Sequence, residues 1–538
     1  FPFNLMVRRS LNQNRRVFPN QSINSIKFYL YLLIIHFFFH TFILQAKTRG
    51  VEFRTLDSCT VKTTYPELNV LAKVGNRTIT MQDFIRRAEY SIRPLYCRQA
   101  NYIHKKIILN SLIAEKLFAL EAEKAKVDLL DNSLFQSFVL GRTEQAMRQL
   151  HYYEEFYSQV ELDSAIVSPA YKLAGRTIDV TFLNLPDLKT AAQIKNLAEK
   201  GLPLDSAYTM IWDQSNPPKR QINWFDREGP EIHNAIFNSG TKKGSIIGPL
   251  ATDNKTFFLL QVNGWIDRPA VTKSEKSLRM DDVRERLLKN HAEATYKEWV
   301  KNIMKGKNLE LNPNVFPAYA VKVMDIYLQS DSVKQAQLNT SLWADPELDF
   351  IHDSLMHKPQ QSFAKTDILC HVDNTPWTIE VFHQELRKHP LVFRKKKMNR
   401  NEFQEQLKYA IADLIQNIEI TKHCYAKEYE QSSTVRLNRE LWHDSSIARY
   451  YRDIIFEEKG FLYDDPEGVA IRMNPLVDSL QTVYSDQIEI NTDLFESIEL
   501  TSIDMTVIQH GVPFPKVVPP FPIFTNDNRL DYGRKKEF

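Results

Sequence analysis

The apolar residues of this chain fall into two rhythms. At Leu109, Leu112, Ile113, Leu117 and Leu120 they recur at i, i+3 and i+4, the stripe of an amphipathic helix with one face in a core. Val283, Leu287, Tyr296, Trp299, Val300 and Ile303 draw a second stripe along 283–304, which runs on into the strand-like "NLELN" (308–312). By contrast "RTIDVTFLNL" (176–185) and Phe257 to Val262 are short runs of β-formers, the second preceded by the turn residues Asp253-Asn254-Lys255. Between them lie two helical stretches, "LKTAAQIKNLAEKG" (188–201) and "GPEIHNAIFNSG" (229–240), each closed by a glycine. A strand, two helices and the closing "GSIIGPLATDNKTFFLLQV" (244–262) within residues 175–265 predict a compact α+β unit set in helical protein.

The helical part repeats. Shifted by 298, "VGNRTITMQDFIRRAEY" (74–90) falls on "VDNTPWTIEVFHQELRK" (372–388), and "LNSLIAEKLFALEAEK" (109–124) falls on "LKYAIADLIQNIEITK" (407–422) with no gap. Val74/Val372, Asn76/Asn374, Thr80/Thr378, Phe84/Phe382, Leu109/Leu407, Ile113/Ile411, Ala114/Ala412, Glu121/Glu419 and Lys124/Lys422 are identical. Each copy reads as a short strand entering a tight turn, a threonine before a helix, a long amphipathic helix and a third helix near 133–160 or 434–456. Each is expected to close on its own returning helix, 283–304 in the first copy and "LVDSLQTVYSDQIEIN" (476–491) in the second. The fold class is α+β, mainly helical: a duplicated helical module with the small α+β domain inserted in its first copy. The expected boundaries are 66–170 for the first module, 171–268 for the insert, 269–315 for its returning helix, 316–365 for a linker and 366–491 for the second module. The stretch 492–538 is an extended tail, whose "VPFPKVVPPFPIF" (512–524) is expected to strap along the modules, since free it would expose many apolar groups.

Composition adds limits. With 43% hydrophobic residues, 25% charged and a net charge of +3, packed cores are expected and a nucleic-acid footprint is not. Glycine is scarce, 15 in 538 residues, against phosphate-cradling architectures built on Gly-rich turns. "RKKKMNR" (394–400) reads as a solvated face or loop. Arg8, Arg9, Arg15, Arg16 and Lys27 precede "FYLYLLIIHFFFHTFIL" (28–44), so residues 1–50 read as an export signal or membrane anchor that sends the rest of the chain across the membrane. His36 and His40, i,i+4 in that run, are not expected to bind metal, and "LDSC" (56–59) is not an acylation box. Cys59, Cys97, Cys370 and Cys424 lack C-x-x-C spacing; in an oxidising compartment Cys370 and Cys424 could pair, and sequence does not choose among the three complete pairings. No metal or cofactor motif is expected.

"EIHNAIFNSGTKKGSIIGPL" (231–250) resembles the parvulin-type peptidyl-prolyl isomerase pattern of helix, aromatic, Gly-Ser and Gly-Pro. The unit around 74–90 resembles the N-terminal chaperone module that flanks such domains in SurA-like and PpiD-like periplasmic folding factors. The resemblance covers roughly residues 70–312, with an echo to 491. It implies a groove whose first-strand histidine falls on Thr181 and whose last-strand histidine falls on Phe258. The acidic or cysteine position falls near Asp213, an aromatic on Phe225, the proline-receiving phenylalanine on Ile232, and a structural aromatic on Phe237. Rotation about an X–Pro bond faces a barrier of about 18–20 kcal/mol, and losing one preorganised polar group in an active site costs on the order of a hundredfold in rate. With both histidines replaced, the resemblance implies a fold kept for binding unfolded or Pro/aromatic-rich exported polypeptides in the periplasm or from an inner-membrane anchor. Asp213 is the one catalytic candidate. A working isomerase and a membrane-tethered envelope scaffold are the alternatives.

Overall fold

The computed structural model describes residues 70–535, apart from 213–216, 227, 252–255, 329–362, 396–397, 464 and 502. The export segment with His36 and His40, Cys59 and Asp213 lie outside the described residues.

The described residues open with a hairpin, β1 (Val70–Val74) and β2 (Arg77–Thr80), followed by α1 (Met81–Glu89), α2 (Tyr102–Lys124) and α3 (Ser133–Tyr152). Thr80 caps α1 in a reciprocal capping box with Asp83, and Asn101 caps α2, so each start is fixed by a side-chain acceptor for otherwise orphaned amides. Next come α4 (Ser164–Leu173), β3 (Arg176–Leu185), α5 (Leu188–Glu199), α6 (Leu204–Trp212), β4 (Lys219–Asn223), α7 (Pro230–Ile236), β5 (Ile246–Ala251), β6 (Phe257–Asp267) and the long α8 (Lys273–Ile303). The α+β unit is thus present, with an antiparallel sheet in the order β4-β3-β6-β5. It contains α6 and β4, which the apolar pattern did not mark. The helix expected over 229–240 is only the short α7.

After β7 (Leu309–Leu311), a linker is expected; residues 316–327 instead form α9 (Phe316–Tyr327). Phe316, Tyr319, Val323 and Ile326 are buried against Phe382 and Leu407, so α9 is part of the second module's core. That module continues with β8 (Ile368–Val372), β9 (Thr375–Thr378), α10 (Ile379–Lys388), α11 (Arg400–Ala426), α12 (Ser433–Glu458) and α13 (Pro466–Val483). Val70 and Ile368, Arg77 and Thr375, and Met81 and Ile379 open corresponding elements at the offset of 298, and Thr378 and Asn399 cap α10 and α11 as Thr80 and Asn101 cap α1 and α2. "RKKKMNR" leads into the cap of α11, with Arg394 paired to Asp413 and Lys395 to Glu402.

The closing strands cross over. β7, which ends the first module's returning helix, pairs with β8 of the second hairpin: Leu309 opposes Val372 and Leu311 opposes Cys370. β10 (Ile488–Ile490), which ends the second, pairs with β1: Ile488 opposes Val74 and Ile490 opposes Ala72. Each module therefore closes on the other's strand rather than its own. The helical cores are interleaved as well: Phe118 and Ala122 of α2 and Phe135 of α3 share one apolar cluster with Trp442 and Ile447 of α12 and Met473 of α13. At the crossing of α3 and α10, a Cβ on Gly141 would stand 2.2 Å from the Lys388 carbonyl oxygen, so only glycine permits that approach.

The stretch expected to be extended from residue 492 opens instead with a short helix, α14 (Thr492–Ser497), after which the tail runs along these helices and ends in β11 (Arg534–Lys535), beside β10. Phe514, Phe521 and Phe524 are buried, each worth about 1.5–3 kcal/mol by area. Gln145 donates to the Phe514 carbonyl (2.9 Å) and accepts from its amide (2.8 Å), and Arg142 donates to the Lys516 carbonyl (2.8 Å). Arg87, fully buried, donates to both oxygens of Glu115 (2.9 and 2.8 Å) and to the Pro520 carbonyl (2.8 Å). The tail satisfies buried donors as it seals apolar surface.

Cys97, Cys370 and Cys424 are buried and unpaired. Cys370 and Cys424 do not form the bond considered for them because they sit in different core clusters, Cys370 beside Phe382 and Cys424 beside Met147 and Val300.

Candidate functional site

In the α+β domain, side chains of directly opposed residues in an antiparallel pair share a face, and the face alternates along each strand. Phe258 opposes Asn184 and Leu250, so it lies on the face that carries Val180 and Phe182. Thr181 opposes Gln261 and lies on the other face, with Leu183 and Leu259. The two positions matched to the groove histidines are therefore not brought together. A one-residue slip inverts the face, and the residue that meets Phe258 is Phe182, edge-on with ring centroids 6.2 Å apart. Thr181 is buried and receives a 3.0 Å hydrogen bond from Asn263, the extra residue of a bulge opposite Asp179 and Val180, and Asn263 also donates to Asp179 (3.3 Å).

Ile232 joins Phe182, Ile247 and Leu250 as the half-buried fringe of the core formed by Ile178, Val180, Leu260, Val262, Trp224 and Phe237. Ile232 and Phe258 thus belong to one apolar face, and Phe237 is a buried structural aromatic as expected from the resemblance. Phe225 is elsewhere. It comes just after Asn223, which opposes Thr177 at the far end of β3 from Asn184, roughly 24 Å along the strand from Phe258 at about 3.4 Å per residue. Phe225 is 52% exposed. Its loop is clamped by Arg286 of α8, which donates to the carbonyls of Trp224, Asp226 and Glu228. Beneath it His233, 2% exposed, faces the Trp224 carbonyl (3.2 Å) and packs on Trp224 and Phe237. Burial, helped by the Arg286 charge, lowers its pKa to about 4, so the imidazole is neutral at pH 7.

Two features elsewhere left little mark in the sequence. Where α3 runs into a π-helical turn (Tyr153–Tyr157), His151 is enclosed by Phe156, Trp299 and Tyr429, ring centroids 4.8–5.7 Å away, and neither ring nitrogen has a hydrogen-bond partner. Burial lowers its pKa to about 4 as well. The second feature is a cavity of about 220 Å³ between the β8–β9 hairpin and α11, lined by Val372, Asp373, Trp377, Ile418, Glu419 and Lys422 among others. Lys422 (2.6 Å) and Lys307 (3.1 Å) both pair with Glu419, and Lys307 also reaches Asp373 (2.8 Å). Burial works against the Glu419 charge, but these hydrogen bonds outweigh it and hold the carboxyl below its usual range.

Glu123, His443 and Asp444 converge closely enough to be considered for a metal. Their charge is already matched: Arg77 pairs with Glu123 and Asp444, and Lys116 bonds the buried Asp444 at 2.8 Å. The cluster is an ion-pair network tying α2 to α12. No protein-family model matches the chain, and no curated protein matches it.

Proposed function

We propose that this protein is an extracytoplasmic folding factor that binds unfolded exported polypeptides of the outer-membrane type, on a duplicated helical module carrying a parvulin-like insert. The observation that carries the reading is the apolar face of the insert. Phe182 and Phe258 meet edge-on with Ile232, Ile247 and Leu250 half-exposed around them, where an isomerase would need a polar network to disturb the amide. Such a face offers adaptable, sequence-tolerant contact to apolar segments. The matching capping residues at Thr80/Thr378 and Asn101/Asn399 support duplication of the module.

The test uses the full chain in two assays: suppression of aggregation of a urea-unfolded outer-membrane β-barrel polypeptide, and cis–trans isomerisation of an Ala-Pro tetrapeptide. Suppression at near-stoichiometric ratio without accelerated isomerisation is expected. Accelerated isomerisation, or no suppression, would overturn the reading.

A further inference from the structure

The two modules differ at one sheet edge. β10 and β7 are the same strand in two copies: Ile488 opposes Val74 as Leu309 opposes Val372, and Ile490 opposes Ala72 as Leu311 opposes Cys370, hairpin residues related by 298. The bonds that follow also repeat. Asn491 donates its amide to the Leu71 carbonyl (2.9 Å) and Asn312 to that of Leu369 (2.9 Å). The carbonyls of Asn491 and Asn312 then accept from Phe495 (3.0 Å) and Phe316 (2.9 Å) at the start of α14 and α9. Yet the first sheet has four strands, β11-β10-β1-β2, and the second has three among the described residues, β7-β8-β9. Ile488 and Ile490 are buried, whereas Leu309 and Leu311 are half-buried and Glu310 is exposed.

The seat of β11 shows what such an edge takes. The added strand is parallel, with Arg534 beside Glu489 and Lys535 beside Ile490. Arg534 pairs with Glu489 (3.0 Å) and donates to the Asp486 carbonyl (2.7 Å). A Cβ on Gly533 would stand 2.9 Å from the Ile488 carbonyl oxygen, so a small residue has to precede the basic one. On β7 the Asn308 carbonyl accepts from Asp373 (3.0 Å) and the Asn312 amide donates to Leu369, so both turn toward β8. Antiparallel strands alternate, and Leu309 and Leu311 therefore turn their amides and carbonyls to the outer edge. Glu310 occupies the place of Glu489 and accepts from the neutral Asn308 side chain (2.7 Å), where Glu489 holds an arginine. A three-residue strand bearing a charge is a common way to blunt an edge, but β10 has the same length and pattern and accepts a strand.

We propose that the outer edge of β7 is a strand-acceptor site for an extended segment of a client polypeptide, lying parallel to β7 as β11 lies along β10. Main-chain bonds to Leu309 and Leu311 hold the segment whatever its sequence. Glu310 favours a basic residue preceded by a small one. This inference rests on the reading of the protein as a polypeptide binder and gives that reading a second contact, on backbone rather than apolar surface.

The test is NMR titration of the full chain with an N-acetylated peptide of residues 530–535 (LDYGRK), whose cis seat on β10 is already filled. Saturable binding is expected, with amide exchange slowed at Leu309 and Leu311 and unchanged at Ile490. The same peptide N-methylated at its arginine and lysine cannot donate along a strand and is expected to bind at least tenfold more weakly. Glu310→Lys is expected to weaken the unmethylated peptide about fivefold. Absence of binding, equal binding of the two peptides, or binding that leaves exchange at Leu309 and Leu311 unchanged would overturn the assignment. Self-association of the chain that Glu310→Lys abolishes would assign the edge to a second copy and overturn it too. If Glu310→Lys does not fold, the methylated peptide decides alone. Peptide binding at β7 without suppression of aggregation counts against the folding-factor reading alone; suppression without peptide binding counts against this site alone.

Discussion

Truncating Tyr484 to alanine tests whether a side chain on one module's closing segment secures the sheet of the other. The ring is almost fully buried, and removing a buried aromatic side chain costs about 3–5 kcal/mol. Glu121, which accepts from the hydroxyl, retains 26% side-chain exposure, so water replaces the lost hydroxyl there and adds little to the cost. The loss falls on the contact between β10 and the β1–β2 hairpin, so the readout is local. Amide exchange is followed at Gly75, which donates to Gln487 (2.9 Å), and across the Ala72–Ile490 pair. At 1.36 kcal/mol per tenfold, protection is expected to fall by roughly two to three and a half orders of magnitude. Tyr484→Phe gives up only the hydroxyl, about 0.5–1.5 kcal/mol, and is expected to stay within about tenfold of the wild type. Protection that changes less than tenfold in Tyr484→Ala would show that the ring does not hold the exchanged strand in place.

Stability is expected to fall with acid below pH 6.5. Between there and about pH 4 the unfolded chain takes up protons at His151 and His233 that the folded protein excludes. Each histidine then accounts for about 2 kcal/mol lost between pH 7.5 and 5, and His151→Phe should remove that share of the shift in urea midpoint; an unchanged pH dependence would refute it. Glu115→Leu leaves the fully buried Arg87 without its carboxylate and should cost about 3–5 kcal/mol. Adding Arg87→Met should recover most of this, and strictly additive losses in denaturant titration would contradict the pairing. Gly141→Ala should cost about 1–3 kcal/mol through overpacking against Lys388, read as a lowered thermal midpoint; an unaltered midpoint would mean that α3 and α10 separate freely.

The hairpin–helix units were legible because their signals are local. Thr80 and Thr378 announce helix starts, and the stripe at Leu109, Ile113 and Leu117 marks a buried face. The exchange of closing strands was not legible. Leu309-Glu310-Leu311 and Ile488-Glu489-Ile490 present the same apolar–acidic–apolar pattern, so either strand suits either hairpin, and packing over the whole chain decides. The groove was half legible. Ile232 and Phe258 do share a face, whereas Thr181 lies on the opposite one and Phe182 is the residue that meets Phe258, because the face of a strand residue depends on register, which a run of β-formers alone does not fix. β4 escaped notice because "KRQIN" exposes three of its five residues and carries one buried apolar side chain, too little for a period to register. The socket for Tyr484 could not be read at all, since its parts lie on three separated segments.

The crossing of β7 and β10 also sets an order of events during synthesis. When the first hairpin leaves the ribosome, the strand that completes its sheet lies some 400 residues downstream, about 20–80 s away at ordinary elongation rates. Through that interval β1 has an unfilled edge, and an unfilled edge invites pairing with whatever strand is near. The first module cannot mature ahead of the second, so the two become native together, and a chain interrupted anywhere before Ile490 leaves the first sheet open. A chain arranged this way carries an open sheet edge in its N-terminal half until its C-terminal half arrives.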